Sequence, residues 1–500
     1  MPIVPAQFRP PDRPYWPPMV IGAEQSTTRS TYAPAAIPSQ YAPPGQLPPP
    51  GLPGQFTPLP PSGPRRNRRW LAAAAVVVVL LAFLGIGSTV AVALNENTRP
   101  GAARVLAGPA DAPAGSVPES NRDLAIDALL KRRTEALAAR NRTNFLADVD
   151  RSDDAFLSRQ QTVYDNMTKL PLVGVNFSLK RSESYDTEIP AAIRNKYGND
   201  VRAAAVTVTY QVEGVDQSPV AVPWVPILAL VSGQWKLVGE ATGKELPSGV
   251  GGQPWDAGPV VFERGNRVVG VFSASYPNRS RLMKLADDAL DRVAKVRPAD
   301  RWAGKIFVIA VKDKDVFNAY FSSTPERVDQ VAAIAVPHYN QVHEWANSAE
   351  YSATRIIFNP DELEEDSLQL GDDLTHEFTH AAMAPATTGW TPTWLVEGFA
   401  EYVSYKGASI VQSRLRQALK GVATDDLYGG DKFYDEPMNY ITAWLACRMI
   451  SEKYGEAKLI ELYEKFQGTS VEDTVVNQVL GISRAQLVTD WQAYVAKQRA

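Results

Sequence analysis

Asp372-Asp373-Leu374-Thr375-His376-Glu377-Phe378-Thr379-His380 is the stretch on which the fold and chemistry of this 500-residue chain turn. The sequence holds four histidines, and two of them stand four residues apart here. On a helix that spacing puts both imidazoles on one face, about one turn apart, within reach of a single metal ion. Glu377 follows the first histidine and can address a water at that metal. Leu374, Phe378 and Ala381 supply an apolar flank that packs the helix down. Asp372 and Asp373 fall in its first turn, where the helix dipole favours negative charge, and Pro385 marks its end.

The pattern is the H-E-x-x-H signature of zinc hydrolases. Five residues recur by chance, and the next helix is what gives the match weight. Trp390-Thr391-Pro392-Thr393-Trp394-Leu395-Val396-Glu397-Gly398-Phe399-Ala400-Glu401-Tyr402 predicts a helix with Thr391 as N-cap and Pro392 at its first position. Two glutamates then stand four apart on a strongly apolar helix. A buried carboxylate is costly unless it is paired or bound to a metal. A catalytic zinc site takes three protein ligands and keeps a fourth position open. Glu397, with sixteen residues between it and His380, supplies the third ligand. Glu401, one turn further on, can accept a hydrogen bond from the free ring nitrogen of a ligand histidine and fix its tautomer.

Together the two segments resemble the gluzincin metallopeptidases, in particular the peptidase MA-like group related to M1 aminopeptidases. The resemblance covers roughly residues 256–500. It implies Zn2+ as cofactor, held by His376, His380 and Glu397, with Glu377 as general base and a peptide or protein as substrate. It also implies an α+β domain over 258–500 with the H-E-x-x-H helix and further helices after it. Tyr440, in Tyr440-Ile441-Thr442-Ala443-Trp444, stands where the M1 relatives carry a tyrosine that donates to the oxyanion; Tyr434, six residues earlier, is the alternative. The Gly-Met-Glu-Asn segment that grips a free amine in M1 aminopeptidases is missing, so internal cleavage is as open as removal of a terminal residue. The segment Thr354-Arg355-Ile356-Ile357-Phe358-Asn359-Pro360 reads as a strand beside the cleft, able to pair with an extended peptide. Two rival functions stand beside a peptidase: a non-catalytic surface module with structural zinc that binds peptide or cell wall, and a membrane-tethered regulator. His338 and His343 have no metal-ligand spacing to a further carboxylate and read as structural or surface residues.

The remainder of the chain is uneven. Residues 1–64 hold 19 of the 39 prolines and show no apolar period, so 1–69 reads as a disordered cytoplasmic tail, either a spacer or a ligand for a cytoplasmic partner. Up to Trp70 there are seven Arg against one Asp and one Glu, a balance of +5 that leaves −9 on the rest and excludes a general nucleic-acid binder. Trp70–Leu94 carries no charge; as a helix it is roughly 37 Å long at ~1.5 Å per residue, enough to cross a ~30 Å hydrocarbon core. Arg65, Arg66, Arg68 and Arg69 precede it, which predicts a single-pass anchor at the cell membrane over 70–94, with the N-terminus cytoplasmic and the C-terminal domains outside. The run is too long and too late for an ordinary cleaved signal.

Residues 95–118 read as an Ala-, Gly- and Pro-rich stalk and 244–257 as a linker. Between them, over 119–243, a helix from Asn121 to about Val149 and another over Asp154–Met167 precede period-two strands. In the first helix Ile126, Leu129, Leu130 and Leu137 face a core, with Lys131, Arg132, Arg133 and Arg140 in solvent. Helices first and then antiparallel strands resemble the NTF2-like cone fold in outline. This part carries no histidine, and no catalytic role is expected of it. The lone cysteine, Cys447, excludes an intramolecular disulfide framework and reads as a buried small hydrophobe.

Overall fold

The computed structural model describes residues 119–500 apart from 244, 321–332, 344–347, 362, 364–369, 409, 411 and 469–470. The Pro-rich tail, the expected span Trp70–Leu94 and the stalk lie outside the described residues. Among the described residues no helix is long and apolar enough to cross a membrane.

The first helix, α1 (Glu119–Ala138), buries Ile126, Leu129, Leu130 and Leu137 as their spacing requires. It stops earlier than expected. Arg140 adopts a positive φ of 52°, and Asn141 caps a separate short turn, Arg142–Phe145, by accepting from the Asn144 amide. Arg133 is also not in solvent: its guanidinium lies 3.7 Å over the Phe145 ring and donates to Gln160 Oε1 at 2.6 Å. A long apolar stem and a planar, weakly hydrated cation let arginine go where lysine does not, and here burial lowers its pKa to about 9. Helix α2 (Asp154–Lys169) starts at Asp153, whose carboxylate accepts from the Phe156 amide.

Strands β1 (Leu172–Ser184), β2 (Val201–Val212), β3 (Val220–Trp224), β4 (Pro226–Val231) and β5 (Gln234–Glu240) form an antiparallel sheet in the order β1-β2-β4-β5, with β3 also on β2. Val225 divides β3 from β4. Ser232 and Gly233, both at positive φ, make the tight turn between β4 and β5.

A second sheet holds β6 (Val260–Arg264), β7 (Val268–Ser273), β8 (Ile306–Ala310), β9 (Ala333–His343) and β10 (Ser348–Phe358) in the order β6-β7-β8-β10-β9. Helix α3 (Arg279–Ala294) makes the crossover from β7 to its parallel neighbour β8. The sheet is followed by α4 (Leu370–Met383), α5 (Thr393–Ser404), α6 (Asn439–Tyr454), α7 (Glu456–Lys465), α8 (Glu472–Leu480) and α9 (Arg484–Arg499). One expectation is corrected here. The strand containing Thr354–Phe358 is β10, which pairs with β8 on one side and β9 on the other, so its backbone has no edge to offer a peptide. Among the described residues the free edge next to the helices is β9.

One apolar core runs through both sheets and includes Val163, Val208, Trp255, Phe307 and Ile357. Residues expected to link the two parts are packed, with Gln253, Trp255 and Ala257 buried. The junction is also polar. Arg355 on β10 is fully buried and donates to both oxygens of Asp216, at 2.6 and 2.7 Å. Its Nε donates to the Tyr210 hydroxyl, which donates to Gln253 Oε1; Gln253 in turn donates to Tyr320. Asp216 Oδ2 also accepts from the Val212 amide at 2.7 Å. A bidentate pair with every partner satisfied is tolerated at zero exposure, whereas a lone guanidinium there is not. Asp216→Ala should therefore cost about 3–5 kcal/mol, read as a lowered midpoint in denaturant, with the double variant Asp216→Ala/Arg355→Met recovering part of it.

Candidate metal centre

Helix α4 buries Leu374, Phe378 and Ala381 on its apolar flank, and Asp372 and Asp373 lie in its first turn. The threonines between these residues satisfy themselves: Thr375 donates to the Gly371 carbonyl and Thr379 to the Thr375 carbonyl, each at 2.7 Å. This back-bonding lets a helix with a polar sequence be buried almost all round. Helix α5 begins one residue later than expected. Pro392 is the N-cap residue, and Thr391 Oγ1 instead accepts from the Thr388 amide in the preceding turn. A proline that sets φ near −65° can serve as easily just before the first turn as in it. Trp394 Nε1 anchors this end of α5 on Glu472 at 2.9 Å.

Midway along α5 the chain needs glycine. A Cβ at Gly398 would lie 2.5 Å from the Ala443 carbonyl oxygen and 3.0 Å from Cys447 Sγ, so α6 rests directly on the α5 backbone. Cys447 is fully buried at this crossing. The close approach fixes the depth at which Glu397, the preceding residue, is held.

His376, His380 and Glu397 converge. One ligand atom from each lies within 4.8 Å of the others, and all three residues are buried. Glu397 Oε2 is 3.3 Å from His376 Nε2 and 3.5 Å from His380 Nε2, and the two Nε2 atoms are 3.0 Å apart. Neither Glu397 oxygen has a hydrogen-bond partner among the described residues, at zero exposure. Two imidazole nitrogens and a carboxylate oxygen converging on one point suit a cation, and the N2O set suits zinc. Glu401 Oε1 lies 3.2 Å from His376 Nδ1, on the far side of that ring, where it fixes the tautomer that turns Nε2 inward. Glu377 projects from α4 beside His376, and its Oε2 is buried without a hydrogen-bond partner among the described residues.

The electrostatics of the metal-free cluster separate the two inner glutamates. Burial pushes the Glu377 carboxyl well above the usual range; His376 opposes this and Glu397 adds to it. Burial also disfavours the Glu397 carboxylate, but His380 and His376 outweigh it and hold the group low. For His376 burial opposes the imidazolium, yet Glu397 and Glu401 together raise its pKa well above the ordinary value. His380 is lowered, chiefly by burial. The metal-free site thus keeps a proton on His376 that a cation must displace.

Tyr440, at the start of α6, is buried with its ring centroid 6.5 Å from that of His376 and its hydroxyl without a hydrogen-bond partner among the described residues. Burial, and after it the Glu397 carboxylate, pushes its pKa well up, so the phenol stays protonated. Tyr434 packs edge-on against Phe433, whose ring also meets Tyr440 edge-on. Of the two tyrosines, it is Tyr440 that the fold sets against the cluster. His338 and His343 lie on β9 and are not members of the His376, His380 and Glu397 group. A cavity of about 20 Å³ adjoins His380, walled by Pro337 and Tyr339 of β9, Thr354 of β10, Ala384, Thr387 and Val396. Nothing in the sequence around 333–343 pointed to a place beside the H-E-x-x-H stretch, because that contact is purely tertiary.

No family model matches the chain, and no curated protein does. Solved structures similar to it include an M1 zinc metallopeptidase from Deinococcus radiodurans, at 14% identity over 59% of this chain and 61% of that one, with a TM-score of 0.30. The Glu-to-Ala mutant of that enzyme bound to a Tyr-Ser-Ala substrate matches at 14% identity over the same shares, with a TM-score of 0.28. A two-domain M1 zinc metallopeptidase mutant bound to L-arginine matches at 14% identity over 57% of this chain and 60% of that one, with a TM-score of 0.27. The chain spans 60–61% of the length of these structures. Likenesses this loose carry no argument for activity, which has to come from the site itself.

The ligand set assigns the three glutamates different tasks. The protein should bind one zinc per chain by metal analysis. Glu397→Ala should lose it, Glu401→Gln should weaken it roughly 10–100-fold through a misoriented imidazole, and Glu377→Gln should weaken it least. Because His376 must give up its proton, zinc affinity should fall as pH is lowered, with proton release on binding measurable by calorimetry in buffers of different ionisation enthalpy.

Proposed function

We propose that the chain is a zinc-dependent metallopeptidase that hydrolyses peptide bonds. The observation that carries this is the buried convergence of His376, His380 and Glu397 with the unpartnered carboxylate of Glu377 beside it. A structural zinc site is closed by four protein ligands, whereas three ligands next to a free carboxylate suit one that keeps a position for chemistry. Zinc held there supplies Lewis acidity towards the scissile carbonyl and the attacking water.

The chain's own residues do the rest. Glu377 accepts a proton from water as its oxygen bonds to the carbonyl carbon, and delivers that proton to the amine nitrogen as the C–N bond breaks. The Tyr440 hydroxyl, protonated and without another partner, donates to the carbonyl oxygen as negative charge develops on it. The β9 edge is available to pair with an extended peptide, which brings a main-chain carbonyl alongside α4. With no amine-gripping segment in the sequence, the site favours neither an internal nor a terminal bond.

The placement of this unit is part of the same proposal. Residues 1–69 form a cytoplasmic tail, 70–94 a membrane span and 95–118 a stalk. An NTF2-like domain over 119–243, joined by 244–257 to the peptidase domain over 258–500, stands outside the cell membrane and presents substrate or docks a partner. What supports this is the uncharged run after four arginines.

Two experiments test the proposal. The zinc-loaded protein should cut a peptide library, and Glu377→Gln should keep its metal while turnover falls by a factor on the order of 10² or more; a zinc-loaded wild type that cuts nothing would leave the non-catalytic binding module standing. In spheroplasts, protease added outside should degrade residues beyond the stalk and spare the tail; the reverse pattern would invert the topology.

A further inference from the structure

Helices α4 and α5 form an antiparallel hairpin that carries all three metal-binding groups between its ends. At one end the helices are joined by the short segment 384–392, tied by the Thr388 and Thr391 hydrogen bonds. At the other end, where the start of α4 meets the end of α5, no chain connects them. A residue of a third helix stands there. Arg292, in the last turn of α3, donates through Nη1 to Asp372 Oδ1 at 2.6 Å and to the Ser404 carbonyl at 3.4 Å, and through Nη2 to the Gly371 carbonyl. Ser404 Oγ donates to the Asp372 carbonyl at 3.2 Å and closes the ring of contacts. Ser404 is the last residue of α5, so its carbonyl is one of those left without an intrahelical donor.

We propose that Arg292 is a positioning residue for the metal centre: its planar fork locks the axial register of α4 against α5 and thereby sets the distance from Glu397 to the two histidines. The proposal rests on the zinc-site reading. Its physical basis is leverage. Asp372 is four residues from His376, about 6 Å along the axis, and Ser404 is seven from Glu397, about 10 Å. A slide of one helix past the other moves Glu397 against His376 and His380 almost one for one, and zinc tolerates only about ±0.2 Å in its ligand distances. The joining segment holds one end of the hairpin and α6 rests on α5 at Gly398, but neither ties α4 to α5 at the open end. Arg292 spans both helices there with three acceptors, the Asp372 carboxylate and the Gly371 and Ser404 carbonyls, which a lysine ammonium on a flexible stem cannot reproduce.

The test uses the purified full chain, with zinc affinity measured by competition with a chromophoric chelator and the metal-free protein followed by thermal denaturation. Arg292→Ala should weaken zinc binding about tenfold and Arg292→Lys by a smaller factor, while the metal-free melting temperatures shift by only a few degrees. The visible spectrum of the Co2+-substituted protein should change in the same order, since it reports ligand geometry. If Arg292→Ala does not fold, Arg292→Lys and Ser404→Ala carry the measurement. Unchanged zinc affinity and an unchanged cobalt spectrum, with only the metal-free protein destabilised, would make Arg292 an ordinary structural residue and overturn the proposal. A wild-type protein that binds no zinc would overturn the site reading itself, and the clamp with it.

Discussion

The structure depends on one costly burial. Glu397 has no exposure and no hydrogen bond to either oxygen among the described residues, and it sits between two imidazoles in a largely apolar helix. Removing an ionised carboxylate from water without compensation costs several kcal/mol, and a helix would not keep one there for packing. Everything near it serves to hold that group at a fixed depth: α6 pressed on Gly398, Trp394 tied to Glu472, and the far end of the hairpin gripped from α3. The sheet supplies the remaining wall through β9 and β10.

Glu377 and Glu397 show how one residue type is divided between two tasks. Both are buried, and burial raises the pKa of both. For Glu397 the neighbouring histidines reverse that effect, which suits a ligand that must stay ionised. For Glu377 they do not, and its carboxyl remains proton-hungry. A bound divalent cation lowers both, so the basicity of Glu377 is set by how much of the metal's charge reaches it. Environment thus drives the two carboxyls apart on adjacent helices, one held low and one pushed up, which is the division that the proposed roles of ligand and proton carrier require.

The ligand set was legible in the sequence because helical periodicity is local. Histidines four apart must share a face, and Glu397 and Glu401 were conspicuous as charges on an apolar helix. Tertiary contacts were not legible. Which strand lies at the sheet edge is decided by pairing over distant segments: the segment around Thr354 does line the cavity beside His380, but β10 is enclosed by β8 and β9 and has no edge for a peptide. Arg133 and Arg355 read as ordinary surface and strand residues, yet both are buried, one over an aromatic ring and the other on Asp216. Such partners lie 12 to 139 residues away in sequence and leave no period to detect. Arg292 is hidden for the same reason: it lies 80 residues before Asp372 on an amphipathic helix with several other charges.

X-ray absorption at the zinc edge on the purified, zinc-loaded protein tests the central claim most directly, because it reports the kind and distance of the atoms around the metal. The account requires one zinc per chain in a shell of two imidazole nitrogens at about 2.0–2.1 Å and oxygen at about 2.0–2.2 Å, with one imidazole contribution lost in His380→Ala. No imidazole in the shell, or a spectrum indifferent to His380, would contradict it.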